Sequence, residues 1–261
     1  MLAPSTATAM TTETAGLYRL LAWASPTFPT GAFSYSHGLE TAAEDGTVRD
    51  RATLQSWIAA IVTHGSGRID ADIVRDAWRA AVVGDDEGLG GVNRRGCAYR
   101  ATAELALESS QQGAAFLAAY RAAWAGPHPN PPPLAGEGTG TCADALPPPQ
   151  AGEGRGGGSP GGEMCHAAVF GAAAARAGVA IADALTAYLQ TFAANLMSAG
   201  LRLGIVGQSD GQRILVALEP VVEAAVVASL ARGTEDFGAA TFAVDLASMV
   251  HETQYTRLFR S

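Results

Sequence analysis

The 261-residue chain contains no lysine: all 17 of its cationic side chains are arginine. A phosphate-binding loop needs a lysine to reach the β- and γ-phosphates, and Schiff-base or pyridoxal chemistry needs a lysine amine. That absence excludes all three as chemistry carried by this chain alone. Charged residues make up only 16% of the sequence, against roughly 25% in an average globular protein. The net charge of −8 offers no basic footprint for nucleic acid. Three scattered cysteines, Cys97, Cys142 and Cys165, contain no Cys-x-x-Cys pair, so neither a disulfide framework nor a structural zinc site is expected. Residues 1–15 are small and polar, read as a flexible tail, and lack the basic-then-apolar pattern of a secretory signal. No apolar run reaches 18 residues; the nearest, Val221 to Ala231, is broken by Glu223. The chain therefore reads as soluble and cytoplasmic, without a membrane span.

What is abundant is alanine, 54 residues of it, within an apolar fraction of 48%. The apolar spacing is helical nearly throughout. Asp50 is a candidate N-cap, after which Leu54, Trp57, Ile58, Ile61 and Val62 form one stripe that stops at Gly65. Asp70 and Asp72 fall where a first helical turn favours negative charge, ahead of a stripe through Ile69, Ile73, Ala77 and Ala81. Further helices are predicted over 98–108, 112–124 and 166–177. The longest stripe runs Ile181, Leu185, Tyr188, Phe192, Leu196, Ala199, Leu203. Pro220 is expected to end one helix and open the next, and a last helix starts near Thr241. Gly88-Leu89-Gly90 reads as a loop. No convincing run of period-2 alternation appears, so the expected fold is all-α: one bundle of about eight to ten helices spanning 16–261.

One segment breaks this pattern. Residues 126–162 hold 9 prolines and 11 glycines, with an imperfect duplication of Pro-Pro-Pro-x-Ala-Gly-Glu-Gly at 131–138 and 147–154. Such a composition buries too little apolar surface to offset chain ordering. It is read as a disordered insertion within the domain.

Gly207-Gln208-Ser209-Asp210-Gly211 matches the nucleophile-elbow pattern, with Asp245 and His251 following in hydrolase order. The helical context argues against it. The elbow needs a preceding strand, and residues six apart on one helix lie about 240° apart around its axis, so Asp245 would not orient His251. A Gly-rich turn with Ser209 or Asp210 as N-cap is the expected reading. A nickel-storing protein is a second alternative; it would need convergent His or Cys ligands, and the five histidines show no such spacing.

Two stretches are unusual as structure, although for the first a turn with its aromatics in the core is the reading that physics alone favours. Ser25-Pro26-Thr27-Phe28-Pro29-Thr30-Gly31-Ala32-Phe33-Ser34-Tyr35-Ser36-His37-Gly38-Leu39-Glu40 interleaves aromatics with hydroxyls after a Pro-Gly bend. If Ala32 onward is helical, His37 and Glu40 share a face. The tail, Ser248 to Ser261, ends in Leu258 and Phe259 between Arg257 and Arg260. On a helical wheel, Phe242, Leu246, Met249, Val250 and Thr253 form an apolar face expected to dock. Asp245, Ser248 and Glu252 form the face expected to stay free.

The first stretch strongly resembles the signature of the UreF family of urease accessory proteins, and the tail resembles that family's ending. Between them, Asn195 to Gly204 with Gly207-Gln208, Glu108 to Gly113, and His166 to Gly171 also fit. Val250 and Ala168 stand where the family commonly has a polar residue and a proline, and the 126–162 insertion replaces a short connection. The resemblance implies an all-helical protein with no catalysis and no metal site of its own. It would be a chaperone scaffold for GTP-dependent nickel insertion into apo-urease. Its implied partners are a UreD/UreH-type accessory protein, the GTPase UreG and a second copy of itself. Nickel would be handled by the complex, GTP by UreG, and no cofactor held stably. The implied partner-binding residues are Tyr35, His37 and Glu40 in the turn, with His251, Glu252, Tyr255, Arg257, Leu258, Phe259 and Arg260 in the tail. The tail would order on binding.

Overall fold

The computed structural model describes residues 12–125 and 164–261. Among these are ten α-helices: α1 Thr12–Trp23, α2 Leu39–Glu44, α3 Arg51–His64, α4 Ser66–Val83, α5 Asp86–Ala98, α6 Ala103–Ala123, α7 His166–Arg176, α8 Ile181–Arg202, α9 Gln208–Ala231 and α10 Phe242–His251. A 3₁₀ turn covers Ala32–Ser34. The described residues contain no strand, so the fold is all-α as the periodicity indicated. Helix α1 takes up residues 12–15 of the expected tail; the rest of that tail and the 126–162 insertion lie outside the described residues.

Helix α4 is the hub, packing against α3, α5, α7, α8 and α9. Its partner α7 can approach closely because its buried face is Ala167, Ala168, Gly171, Ala172 and Ala174. A Cβ on Gly171 would lie 2.4 Å from the carbonyl oxygen of Val74, so backbone meets backbone there. Helix α3 starts in a capping box: Asp50 accepts from the Thr53 N–H, and the Thr53 hydroxyl caps the Asp50 N–H. The predicted stripe Leu54, Trp57, Ile58, Ile61, Val62 is buried.

Several boundaries differ from expectation. Residues 98–124 form not two helices but the end of α5, a break, and one continuous α6. The 109–111 stretch expected as a gap is helical, and Gly113 within α6 serves close packing, since a Cβ there would lie 1.8 Å from the Met164 carbonyl oxygen. Gly88-Leu89-Gly90 is helical, within an α5 that Asp85 caps through the Gly88 N–H. Ser209 and Asp210 lie in the first turn of α9, whose N-cap is Gly207. That helix also runs through Pro220. The buried stripe Ile214, Leu218, Val222, Val226 continues across it, while Pro220 itself is exposed. The hydrogen bond lost to proline therefore falls where water replaces it. Among the described residues, α9 is long and apolar enough to cross a membrane by length and composition, contrary to the short run expected; its valines and alanines outweigh the two glutamates.

Asp70 and Asp72 are not first-turn residues. Helix α4 begins at Ser66, and both carboxylates are buried. Asp70 Oδ1 lies 2.8 Å from Arg100 Nη2. Asp72 receives Arg232 Nη1 at 2.8 Å, Arg75 Nη1 at 3.2 Å and the Ser229 hydroxyl at 2.9 Å. These pairs tie α4 to the α5–α6 connection and the end of α9.

Candidate functional site

The Pro-Gly bend and the C-terminal tail, far apart in sequence, meet in space. After the 3₁₀ turn, His37 (φ 52°) and Gly38 (φ 70°) are both left-handed. The glycine is required by its surroundings as well as its φ, because a Cβ there would lie 2.7 Å from the backbone nitrogen of Ser248 in α10. This tight passage sets how α10 docks.

Helix α10 docks by the face opposite to the one expected. Val244, Ser248 and His251 are buried, whereas Phe242 (78% exposed), Leu246, Met249 and Val250 face outward. Polar pairing overrides the apolar wheel. The Ser248 hydroxyl bonds that of Thr102 at 3.0 Å. His251 is wholly buried between two carboxylates, with Nδ1 2.7 Å from Glu104 Oε2 and Nε2 3.2 Å from Glu40 Oε2.

Glu40, at the start of α2, is the tail's principal anchor. It accepts the N–H of Leu258 at 2.6 Å and of Phe259 at 2.9 Å. The Phe259 side chain is buried, with the Arg202 guanidinium 4.3 Å above its ring. The N–H of Arg260 donates to the Ser34 carbonyl and the N–H of Ser36 to that of Ser261, each at 2.8 Å. Arg257 pairs with Glu104. Glu252 accepts the Ala103 N–H at 2.8 Å, which caps α6. The tail is thus ordered in the isolated chain, correcting the expectation that it orders only on binding.

The turn's own residues point inward. The Tyr35 hydroxyl donates to Gln111 Oε1 at 2.7 Å; burial first, then the Glu108 charge, pushes its pKa up. His37 Nε2 lies 3.1 Å from Glu108 and Nδ1 3.2 Å from the Ser66 hydroxyl. His37 and Glu40 therefore do not share a face; the left-handed pair at 37 and 38 turns them to different helices. Of the ten residues singled out from sequence, Tyr35, His37, Glu40, His251 and Phe259 are buried. Glu252, Tyr255, Arg257, Leu258 and Arg260 are exposed, with Tyr255 (103%) and Leu258 (62%) the largest exposed apolar side chains of the tail.

Sequence reasoning missed the partners on α6. Glu104, Glu108 and Gln111 or Gln112 recur at i, i+4 and i+7 or i+8, a polar stripe on a helix otherwise rich in alanine. That spacing was the available signal. Glu108 binds His37, Gln112 at 2.8 Å and the Ser261 hydroxyl at 3.3 Å.

The hydrolase reading fails on geometry. Ser209 is exposed, Asp245 accepts from the Thr241 hydroxyl, and both nitrogens of the buried His251 are taken by glutamates. Among the described residues, no cluster of three or more His, Cys, Asp or Glu side chains is set to hold a metal ion. The arrangement is a clamp that fixes a tail and leaves an apolar outer surface.

Known proteins resemble this chain along most of its length. The UreF family model matches residues 48–219. The chain is 41% identical over 249 residues to the urease accessory protein UreF of Rhodopseudomonas palustris strain BisB18, covering 95% of this chain and 93% of that protein. It is 41% identical over 250 residues to the urease accessory protein UreF of Granulibacter bethesdensis, covering 96% of each. With Bradyrhizobium sp. strain BTAi1 the same-named protein shares 41% over 249 residues, 94% of this chain and 92% of that one. A family model across most of the sequence, and relatives alike along nearly all of it, establish that the chain belongs to the UreF family of urease accessory proteins, which assist an enzyme and are not enzymes themselves.

Proposed function

We propose that the protein is a non-catalytic scaffold for GTP-dependent nickel insertion into apo-urease. It bridges a UreD/UreH-type accessory protein and the GTPase UreG, and it works as a homodimer in the cytoplasm. Nickel passes under the control of the assembled complex, and the nucleotide is bound by UreG. This reading rests on the family membership and on one observation above all. The outward face of α10 and the tail beside it expose Phe242, Leu246, Met249, Val250, Tyr255 and Leu258, while Glu40 holds the His251 side chain and the Leu258 and Phe259 backbone. Aromatic, methionine and arginine side chains on a rigid base are the composition of an interface core. We assign this surface to the UreD/UreH-type partner.

The buried members of the turn, Tyr35, His37 and Glu40, act by holding that surface, not by touching the partner. Removing the tail would therefore also remove packing inside the chain, so point variants test the reading more cleanly. Tyr255→Ala and Leu258→Ser are expected to weaken co-purification with the UreD/UreH-type protein by about 1–3 kcal/mol each, the range for an interface anchor. Circular dichroism and the melting temperature should not change. Wild-type complex formation by the double variant would overturn the assignment.

A further inference from the structure

A cavity of about 330 Å³ lies beneath the Pro-Gly bend, between α1, α4, α6, α7 and α8. That volume falls within the roughly 300–1,000 Å³ of small-molecule sites. Flat aromatic surfaces wall it: Trp23, Phe28, Phe170 and Phe192. Its charged groups are already spoken for by one another. Arg100 pairs with Asp70, which also accepts the Tyr188 hydroxyl at 2.9 Å, and Glu108 is occupied by His37 and Gln112. An ion entering here would shed its water without finding a free countercharge.

Four polar groups on the wall lack a hydrogen-bond partner: the buried Trp23 Nε1 and Asp70 Oδ1, the latter facing Arg100, and the half-buried His166 ring and Asn195 amide. Among the described residues, neither the His166 ring nor the Asn195 amide makes a hydrogen bond, although both line the cavity. His166 is set among the rings of Phe116, Phe170 and Tyr188, with centroids 5.4–6.4 Å away. Burial, with the Arg100 charge adding and Asp70 opposing, holds its pKa down to about 4. At neutral pH it is an uncharged imidazole with one donor and one acceptor. Polar groups held away from bulk water cost free energy until a partner satisfies them; the Trp23 indole, the His166 ring and the Asn195 amide are neutral donors and acceptors between aromatic faces, while the Asp70 charge is met by Arg100.

We propose that this cavity is a binding site for a small, planar, uncharged ligand carrying an amide or heteroaromatic donor–acceptor pair, with His166 and Asn195 as its polar contacts. Aromatic walls take the faces of such a molecule, and the two neutral side chains take its edge.

Benzamide is the test probe, with benzoate and benzylamine as anionic and cationic counterparts of the same size. Isothermal titration and saturation-transfer NMR on the full chain should show saturable benzamide binding at least about tenfold tighter than either ion, about 1.4 kcal/mol. His166→Phe keeps the aromatic packing and removes the imidazole; Asn195→Leu is the second variant should the first misfold. Either should weaken benzamide binding about tenfold or more. No saturable binding, equal binding of the three probes, or unchanged binding in both folded variants would overturn the proposal.

Discussion

Around α4 the chain is held by backbone proximity and apolar contact together with the Asp70 and Asp72 ion pairs, whereas around the tail it is held almost entirely by carboxylates. The first region relies on glycine and alanine: Gly171 against Val74, Gly113 against Met164, Gly96 against Cys165. The second relies on Glu40, Glu104 and Glu108, which gather backbone N–H groups, two histidines and an arginine. Apolar contact is non-directional and tolerates small slips. A carboxylate accepting several donors fixes direction. The difference explains why a tail with one buried aromatic, Phe259, can hold a defined surface without a core of its own.

Asp72 tests the boundary between these regimes, since it places a carboxylate inside the α4 side. Asp72→Asn leaves Arg75 and Arg232 buried with less countercharge, and stability should fall by about 4 kcal/mol in urea titration. A loss no larger than that of an exposed pair would show that the ion network adds little to the apolar contact.

Gly171→Ala probes the close approach itself. The added methyl has backbone, not a flexible side chain, in its way, and a loss of about 3 kcal/mol is expected by denaturant unfolding. A neutral outcome would mean that α7 can back away from α4 and that the proximity is not binding.

The cavity side should show its own acid sensitivity. His166 has a folded pKa near 4, below its ordinary 6.5. The unfolded chain therefore binds more protons between those values. Stability is full above pH 6.5 and declines as pH falls towards 4, by up to about 3 kcal/mol. His166→Phe should remove that part of the decline, read as melting temperature against pH; an unchanged profile would place the acid sensitivity elsewhere.

Glu40→Gln carries the smallest global effect, about 2 kcal/mol for the weakened anchor. Its local effect should be larger. Trypsin should cut at Arg257 and Arg260 much faster than in the wild type, while the helical circular dichroism signal stays. Unaltered cleavage would show that Phe259 and Arg202 hold the tail without the carboxylate.

Much of the helical skeleton was legible. The 51–62 and 181–203 stripes define α3 and α8 because a 3.6-residue apolar period has few other solutions. The turn stood out by its interleaved aromatics and hydroxyls, and the tail because its aromatics and arginines exceeded what a chain end needs. The errors share one cause. The 109–111 gap, Gly88-Leu89-Gly90 and Pro220 were read by local propensity, and in each place the helix continues: α6 packs closely on Met164, Asp85 caps α5, and Pro220 sits on the exposed side of α9. Likewise, the polar face of α10 was expected to stay free because a wheel cannot show that Thr102, Glu104 and Glu40 wait to receive it.

The sequence by itself determined the all-α class, the main helical stripes, the two stretches of unusual composition and the absence of lysine chemistry, since each depends on composition or on spacing within one segment. Only the tertiary structure decided that the two stretches form one clamp, which face of α10 turns outward, and that His166 faces a cavity with no partner of its own. Those depend on which groups from distant segments satisfy one another's charges and hydrogen bonds, and a buried carboxylate imposes that choice more strongly than an apolar stripe does.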